Sequence, residues 1–195
     1  MWFIVGLALA APEEFEVCGS FGTTEGPLEV QVDQDLVGEI QSSGLAASRT
    51  EEGLYYTHDD AGGEPRLYLF RDTGPGGEFV GPQLVSGATN TDWEDLAAGP
   101  CPGSVDAEHC IWIADIGDND EVRPNVSVWV VPESTQANVT AVECALVYPE
   151  GEKHDAEALL ISPDGTLRIL TKDKDGAKVF RIGNPDCDNG AAQTL

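Results

Sequence analysis

Twice in this chain an acid, one spacer and a glutamate run straight into a short apolar stretch. The first is Asp92-Trp93-Glu94-Asp95-Leu96-Ala97 and the second Asp155-Ala156-Glu157-Ala158-Leu159-Leu160. A weaker copy, Gln41-Ser42-Ser43-Gly44-Leu45-Ala46-Ala47, carries Ser43 where the others carry Glu. With Gly44, Asp95 and Ala158 as equivalent points, the copies lie 51 and 63 residues apart. Short runs rich in β-branched and aromatic residues follow each copy, separated by Gly, Pro, Asn and Asp. Those runs read as strands and the separators as turns.

The first unit predicts strands at 45–47, 54–58, 66–71 and 79–85. The second predicts them at 96–97, 111–115, 126–131 and 141–148, and the third at 158–161, 167–171 and 179–182. No sustained 3.6-residue periodicity with a cap appears, so helices are not expected. Four short strands per unit, copied along the chain, is the pattern of β-propeller blades. The expected fold is therefore all-β, a partial propeller of about three four-stranded blades, the third lacking its outer strand. Three blades close a ring poorly. Truncation of the reading frame is the first explanation, and self-association to close the ring the second.

Residues 27–32 alternate, with Leu28, Val30 and Val32 on one face and Glu29 and Gln31 on the other, which suits a half-buried strand. Before them, residues 2–11 form a short apolar run ending in Ala8-Leu9-Ala10, a cleavage-like pattern without a basic leading segment. Residues 1–11 thus read as a signal peptide, 12–26 as a linker and 27–195 as the propeller-type domain. Secretion, periplasmic residence or display at the cell surface suits the five cysteines. Cys101 and Cys110 are expected to form a local disulfide. Cys144 with Cys187 is a candidate second pair, which would leave Cys18 over; the spacing alone leaves that pairing open, and none has C-x-x-C metal spacing. No ~20-residue apolar run is present, so no transmembrane segment is expected.

The charge balance narrows the partners. Thirty-five acids face ten bases, a formal net charge of −25. Nucleic acid and anionic membranes are repelled by such a chain, whereas cations are attracted. Solubility or a salty habitat explains the global charge equally well, so local clusters must decide. If the units superpose, Glu94, Glu157 and Ser43 reach equivalent places around one axis, with Asp92 and Asp155 sharing that face. Converging hard oxygens suit Ca²⁺, and paired carboxylates also suit acid/base work. The plainer alternative is that each Glu binds backbone amides of the neighbouring unit.

A second acidic group falls in the turns: Asp59 and Asp60, then Asp115, Asp118 and Asn119, then Lys172, Asp173 and Asp175. The middle turn is a cation-site candidate or simply a structured loop, and 173–176 a hairpin turn with Gly176 at positive φ. His58 and His154 are candidate general bases, or hydrogen-bonding residues at strand ends. Trp93 is a core residue or a sugar-stacking platform, and Asp59, Asp60 and Lys172 complete a ligand-binding set. No nucleophile elbow, P-loop or dinucleotide fingerprint is present.

The runs Gly53 to Gly63, Asn90-Thr91-Asp92-Trp93-Glu94-Asp95-Leu96, Asp115-Ile116-Gly117-Asp118-Asn119 and His154-Asp155-Ala156-Glu157-Ala158-Leu159 resemble bacterial exported six-bladed β-propellers, the phytase-like, esterase-like and gluconolactonase-like group. The resemblance spans about residues 38–182. It implies a propeller fold and Ca²⁺ near a central channel, but one scaffold serves many activities. Two functions are expected on this basis. The first is a Ca²⁺-holding scaffold presenting one face to a small molecule, glycan or protein. The alternative is a Ca²⁺-dependent hydrolase of phosphate esters or lactones, with Glu94 and Glu157 as ligands or acid/base.

Overall fold

The computed structural model of the chain describes residues 40–74, 77–103, 105–187 and 190–195. The expected signal peptide, the linker, the strand at 27–32 and Cys18 lie outside the described residues. Within them the protein is all-β, thirteen strands in three sheets, with a single 3-10 turn at Pro149–Gly151.

The first sheet is an antiparallel meander of β1 (Ser42–Ala47), β2 (Leu54–Asp59), β3 (Arg66–Arg71) and β4 (Glu78–Ser86). The second is formed by β5 (Trp93–Pro100), β6 (His109–Asp115), β7 (Val126–Pro132) and β9 (Val142–Val147). The third has only β10 (Ala156–Ile161), β11 (Thr166–Thr171) and β12 (Val179–Gly183). These strands match the sequence expectations to within a few residues, because alternating burial and Gly-rich turns mark them.

Two short strands were not expected. β8 (Asn138–Thr140) leaves the second sheet between β7 and β9 and pairs parallel with β4 at the edge of the first. β13 (Gln193–Thr194) follows the third sheet and pairs parallel with β9 at the edge of the second. Each crosses to the preceding sheet and covers its outer edge, which removes an unpaired row of backbone groups. Segments of three and two residues carry no alternation that a sequence reading can detect.

The sheets stack in chain order with their first strands adjacent, β1 beside β5 and β5 beside β10. One core lies between sheets 1 and 2, where Leu54, Tyr56, Leu67 and Leu69 meet Trp93, Leu96, Ile111 and Ile113. The other lies between sheets 2 and 3, where Trp112, Val128, Val130 and Leu146 meet Leu159, Leu167 and Ile169. Sheet 2 is thus buried on both faces, which is why β6 and β7 read as near-continuous apolar runs rather than alternating ones. The tryptophans at 93, 112 and 129 are all core.

Backbone contacts lock the first strands together. Gly44 abuts the backbone of Asp95 and Leu96 so closely that a Cβ would overlap them. Across the next junction the Asp95 carboxylate accepts the N–H of Leu159 at 2.8 Å and that of Leu96 at 2.8 Å. Two disulfides are formed, Cys101–Cys110 and Cys144–Cys187. The second ties the outer strand of sheet 2 to the segment that follows β12.

Candidate functional site

Each first strand departs from regular register at its beginning: between Ser42 and Leu45 in β1, Trp93 and Asp95 in β5, and Ala156 and Ala158 in β10. Glu94 and Glu157 are the extra residues of the second and third irregularities, and Ser43 falls within the first. A bulge bends its strand and re-aims the side chain it carries. This geometry, rather than simple alternation, brings the glutamates out of the sheets to one end of the stack.

There the carboxylates of Asp60, Asp92 and Glu94 lie with their oxygens within 4.8 Å of one another. Those of Glu94, Asp155 and Glu157 form a second such group, so Glu94 belongs to both. The residues come from all three sheets: Asp60 follows β2, Asp92 precedes β5 and Glu94 lies at its start, and Asp155 precedes β10 and Glu157 lies at its start. Gly117 forms the floor. A Cβ there would collide with Asp92 Oδ2 and Glu94 Oε1, so the carboxylates occupy space only glycine leaves free.

Packing these acids together raises the pKa of Glu94 to about 8, through burial first and then the charges of Glu157, Asp92, Asp60 and Asp155. Burial, followed by the charge of Asp60, also raises Asp92. Lys172 opposes this beside Glu157, as the charge of Arg123 does at Asp92. Its ammonium lies 2.5 Å from Glu157 and 3.8 Å from Asp155, and the hydrogen bond to Glu157 raises the lysine in turn. Arg123 is committed elsewhere, to Asp115 at 2.9 Å and to the carbonyls of Gly117 and Asp115. The donor set is hard oxygen throughout, with no sulfur or imidazole in either group, and it fits a hard divalent cation such as Ca²⁺.

Several expected site residues serve the framework instead. Asp115 is buried, and its oxygens accept the N–H groups of Thr91 and Asp92 while pairing with Arg123. Asp118 caps its own turn, accepting from Val122 at 2.9 Å and Arg123 at 2.7 Å. Both carboxylates are thus engaged by backbone amides and, for Asp115, by Arg123, and neither belongs to the two acidic groups at the end of the stack. Asp118 N–H in turn donates to Asp155 Oδ1 at 2.9 Å, holding that carboxylate at the cluster. Asn119 lies outside the cluster, on the wall of an adjoining groove. Asp59 Oδ1 accepts the N–H of Gln41 at 2.7 Å.

The histidines are also tied down. His58 is fully buried; its Nε2 accepts the Gly44 N–H at 3.0 Å and its Nδ1–H donates to the Asp59 carbonyl at 2.8 Å. Burial lowers its pKa, which keeps the ring neutral and able to accept. Neither nitrogen is left for a substrate. His154 sits between Glu152, 2.9 Å from Nε2, and Asp173, 3.3 Å from Nδ1, and against the rings of Tyr148 and Phe180. Trp93 has no exposed surface, and its indole N–H donates to the Thr89 carbonyl, so it offers no stacking platform.

Beside the carboxylates opens a groove of about 790 Å³, walled by Asp155, Lys172, Asp173, Lys174 and Lys178 as well as Asn119. The sequence put Asp60 in the ligand-binding set of the turns rather than with the carboxylates of the first strands, and assigned no site role to Gly117 or Asp95. A glycine two residues after a strand-ending aspartate was the available signal for Gly117. No protein-family model, no curated protein and no solved structure matches this chain.

Proposed function

We propose that this chain is an exported β-propeller-type domain whose three sheets are successive blades, and that it holds Ca²⁺ at the shared end of its first strands and presents that end to a ligand. The observation that carries the reading is Glu94, a carboxylate common to two acidic groups and set against a glycine that leaves room for nothing but those oxygens. Such crowding is unfavourable without a counter-charge, and a cation relieves it directly. The two disulfides support an oxidising compartment. Among the described residues no helix is long and apolar enough to cross a membrane. The groove with mixed lysine and carboxylate walls is the ligand face, suited to a small polar molecule, a glycan or a protein loop.

The test is thermal melting of the full chain in EDTA and with added Ca²⁺. Ca²⁺ is expected to raise the midpoint, and Glu94→Gln to remove most of that rise. An unchanged midpoint would overturn the reading.

A second function is favoured by one feature. A carboxyl raised to about 8, close to a second glutamate that pairs with a lysine, is equipped to give and take protons near neutral pH. A Ca²⁺-dependent hydrolase of phosphate esters or lactones would use it so. Turnover of p-nitrophenyl phosphate or a simple γ-lactone by the purified chain, lost in Glu94→Gln, would rank this reading first.

A further inference from the structure

One backbone hydrogen bond recurs at the head of every sheet. A residue just past the second strand donates its N–H to the carbonyl of the residue two before Ser43, Glu94 or Glu157. Asp60 donates to Gln41 at 3.0 Å, Gly117 to Asp92 at 3.1 Å and Lys172 to Asp155 at 2.8 Å. Asp60, Gly117 and Lys172 are therefore one position of the repeat. It is filled in turn by a carboxylate, by no side chain and by an ammonium. The two acidic groups are related in the same way. Each takes an Asp-x-Glu pair from the head of one first strand and one carboxylate from the sheet before it. Asp92 and Glu94 meet Asp60, and Asp155 and Glu157 meet Glu94.

The groups match in carboxylates and differ in what opposes them. Among the described residues, Asp60, Asp92 and Glu94 form no ion pair. Arg123 acts on Asp92 through its charge alone, its guanidinium being bonded to Asp115. The second group already holds a cation. Lys172 Nζ lies 2.5 Å from Glu157 and 3.8 Å from Asp155. The hydrogen bond to Glu157 raises the lysine first, and the charges that add to it are those of Glu157, Asp155 and Glu94, the three members of that group. An ammonium tied to the chain is present at high effective concentration, so a free cation must displace it. Three unopposed carboxylates attract a divalent ion more strongly than three that already share a positive charge.

We infer that this end of the stack takes one divalent cation and not two: the ion is held by Asp60, Asp92 and Glu94, and Lys172 fills the second group in place of another. Lys172 is thus the residue that sets how many ions the cluster accepts and where the ion sits. The inference rests on the cation reading proposed above. Its readout, the number of ions per chain, is separate from the melting shift that tests that reading.

The experiment is equilibrium dialysis of the full chain, stripped with EDTA, against Ca²⁺ up to about 1 mM, the upper end for extracellular sites. Bound calcium is counted per chain in about 0.15 M salt, which screens the diffuse charge of the surface. The parent should saturate at one ion. Lys172→Met, at a side chain 57% exposed, drops the charge and should saturate at two. Asp60→Asn should lose the parent's ion, whereas Asp60→Asn combined with Lys172→Met should bind one. Glu157→Gln added to Lys172→Met should return the count from two to one. Two ions in the parent, a count still at one in Lys172→Met, or an ion held by Asp60→Asn as tightly as by the parent would each overturn the inference and leave the cation reading standing. No saturable binding by the parent would overturn both. Lys172→Gln repeats the count should the methionine variant fail to fold, and far-UV circular dichroism checks each chain.

Discussion

Glu94 is held where its charge is least welcome. Its strand bulges to deliver it, Gly117 makes room, and four other carboxylates surround it. Gly117→Ala is expected to push Asp92 and Glu94 apart at a cost of about 1–3 kcal/mol, the range for overpacking. Urea denaturation would measure that loss, and the Ca²⁺-induced rise in melting point should shrink with it. The pH dependence follows from the same residue. A carboxyl raised from 4.5 to about 8 binds its proton more tightly folded than unfolded. Its contribution to stability is therefore complete below pH ~4.5 and disappears as pH rises through ~8. In EDTA the parent should lose stability across that window, and Glu94→Gln should flatten the slope. Saturating Ca²⁺ should oppose the loss, since the cation binds the ionised form. The acid-x-Glu pattern made Glu94 and Glu157 visible in the sequence. It also placed Asp92 and Asp155 beside them, but not Asp60, which reaches the cluster from another sheet and which nothing local distinguishes from Asp59.

At the scale of the strand, the first strands do two tasks with adjacent residues. Glu94 and Glu157 turn outward at the irregularities, while Asp95 turns between sheets and bridges the amides of Leu96 and Leu159. Asp95→Ala would strand a partly buried N–H on each side of that junction, and about 1–3 kcal/mol is the expected loss. Asp95→Asn, which keeps an acceptor, should lose less, and equilibrium unfolding of the pair would separate the two effects. The disulfides act on the unfolded chain, and the longer loop restrains it more. Removing Cys144–Cys187, with its separation of 43, should cost roughly 4 kcal/mol, and removing Cys101–Cys110, separation 9, roughly 3 kcal/mol in the chain-entropy account. Unfolding of the paired Cys→Ser variants would check the order. Strands long enough to alternate were legible beforehand. β8 and β13 were not, because their pairing partners lie in another sheet and their two or three residues carry no period.

For the molecule as a whole, a formal charge of −25 works against compactness. Raising NaCl from about 10 mM to 0.15 M shortens the screening length from ~30 Å to ~8 Å and should raise the melting temperature measured in EDTA. A melting temperature indifferent to salt would mean that the charges are already compensated within the fold. The sequence by itself determined that the chain is all-β, where most strands run, that Cys101 pairs with Cys110, and which two glutamates share the acid-x-Glu pattern. Those properties depend on alternation, turn chemistry and spacing along the backbone, and each is local. The tertiary structure alone decided that Asp60 joins the carboxylates of the first strands, that Gly117 makes room for them, and that His58 and Trp93 are buried between sheets. Such outcomes depend on how three sheets stack, and stacking joins residues that no short stretch of chain places side by side.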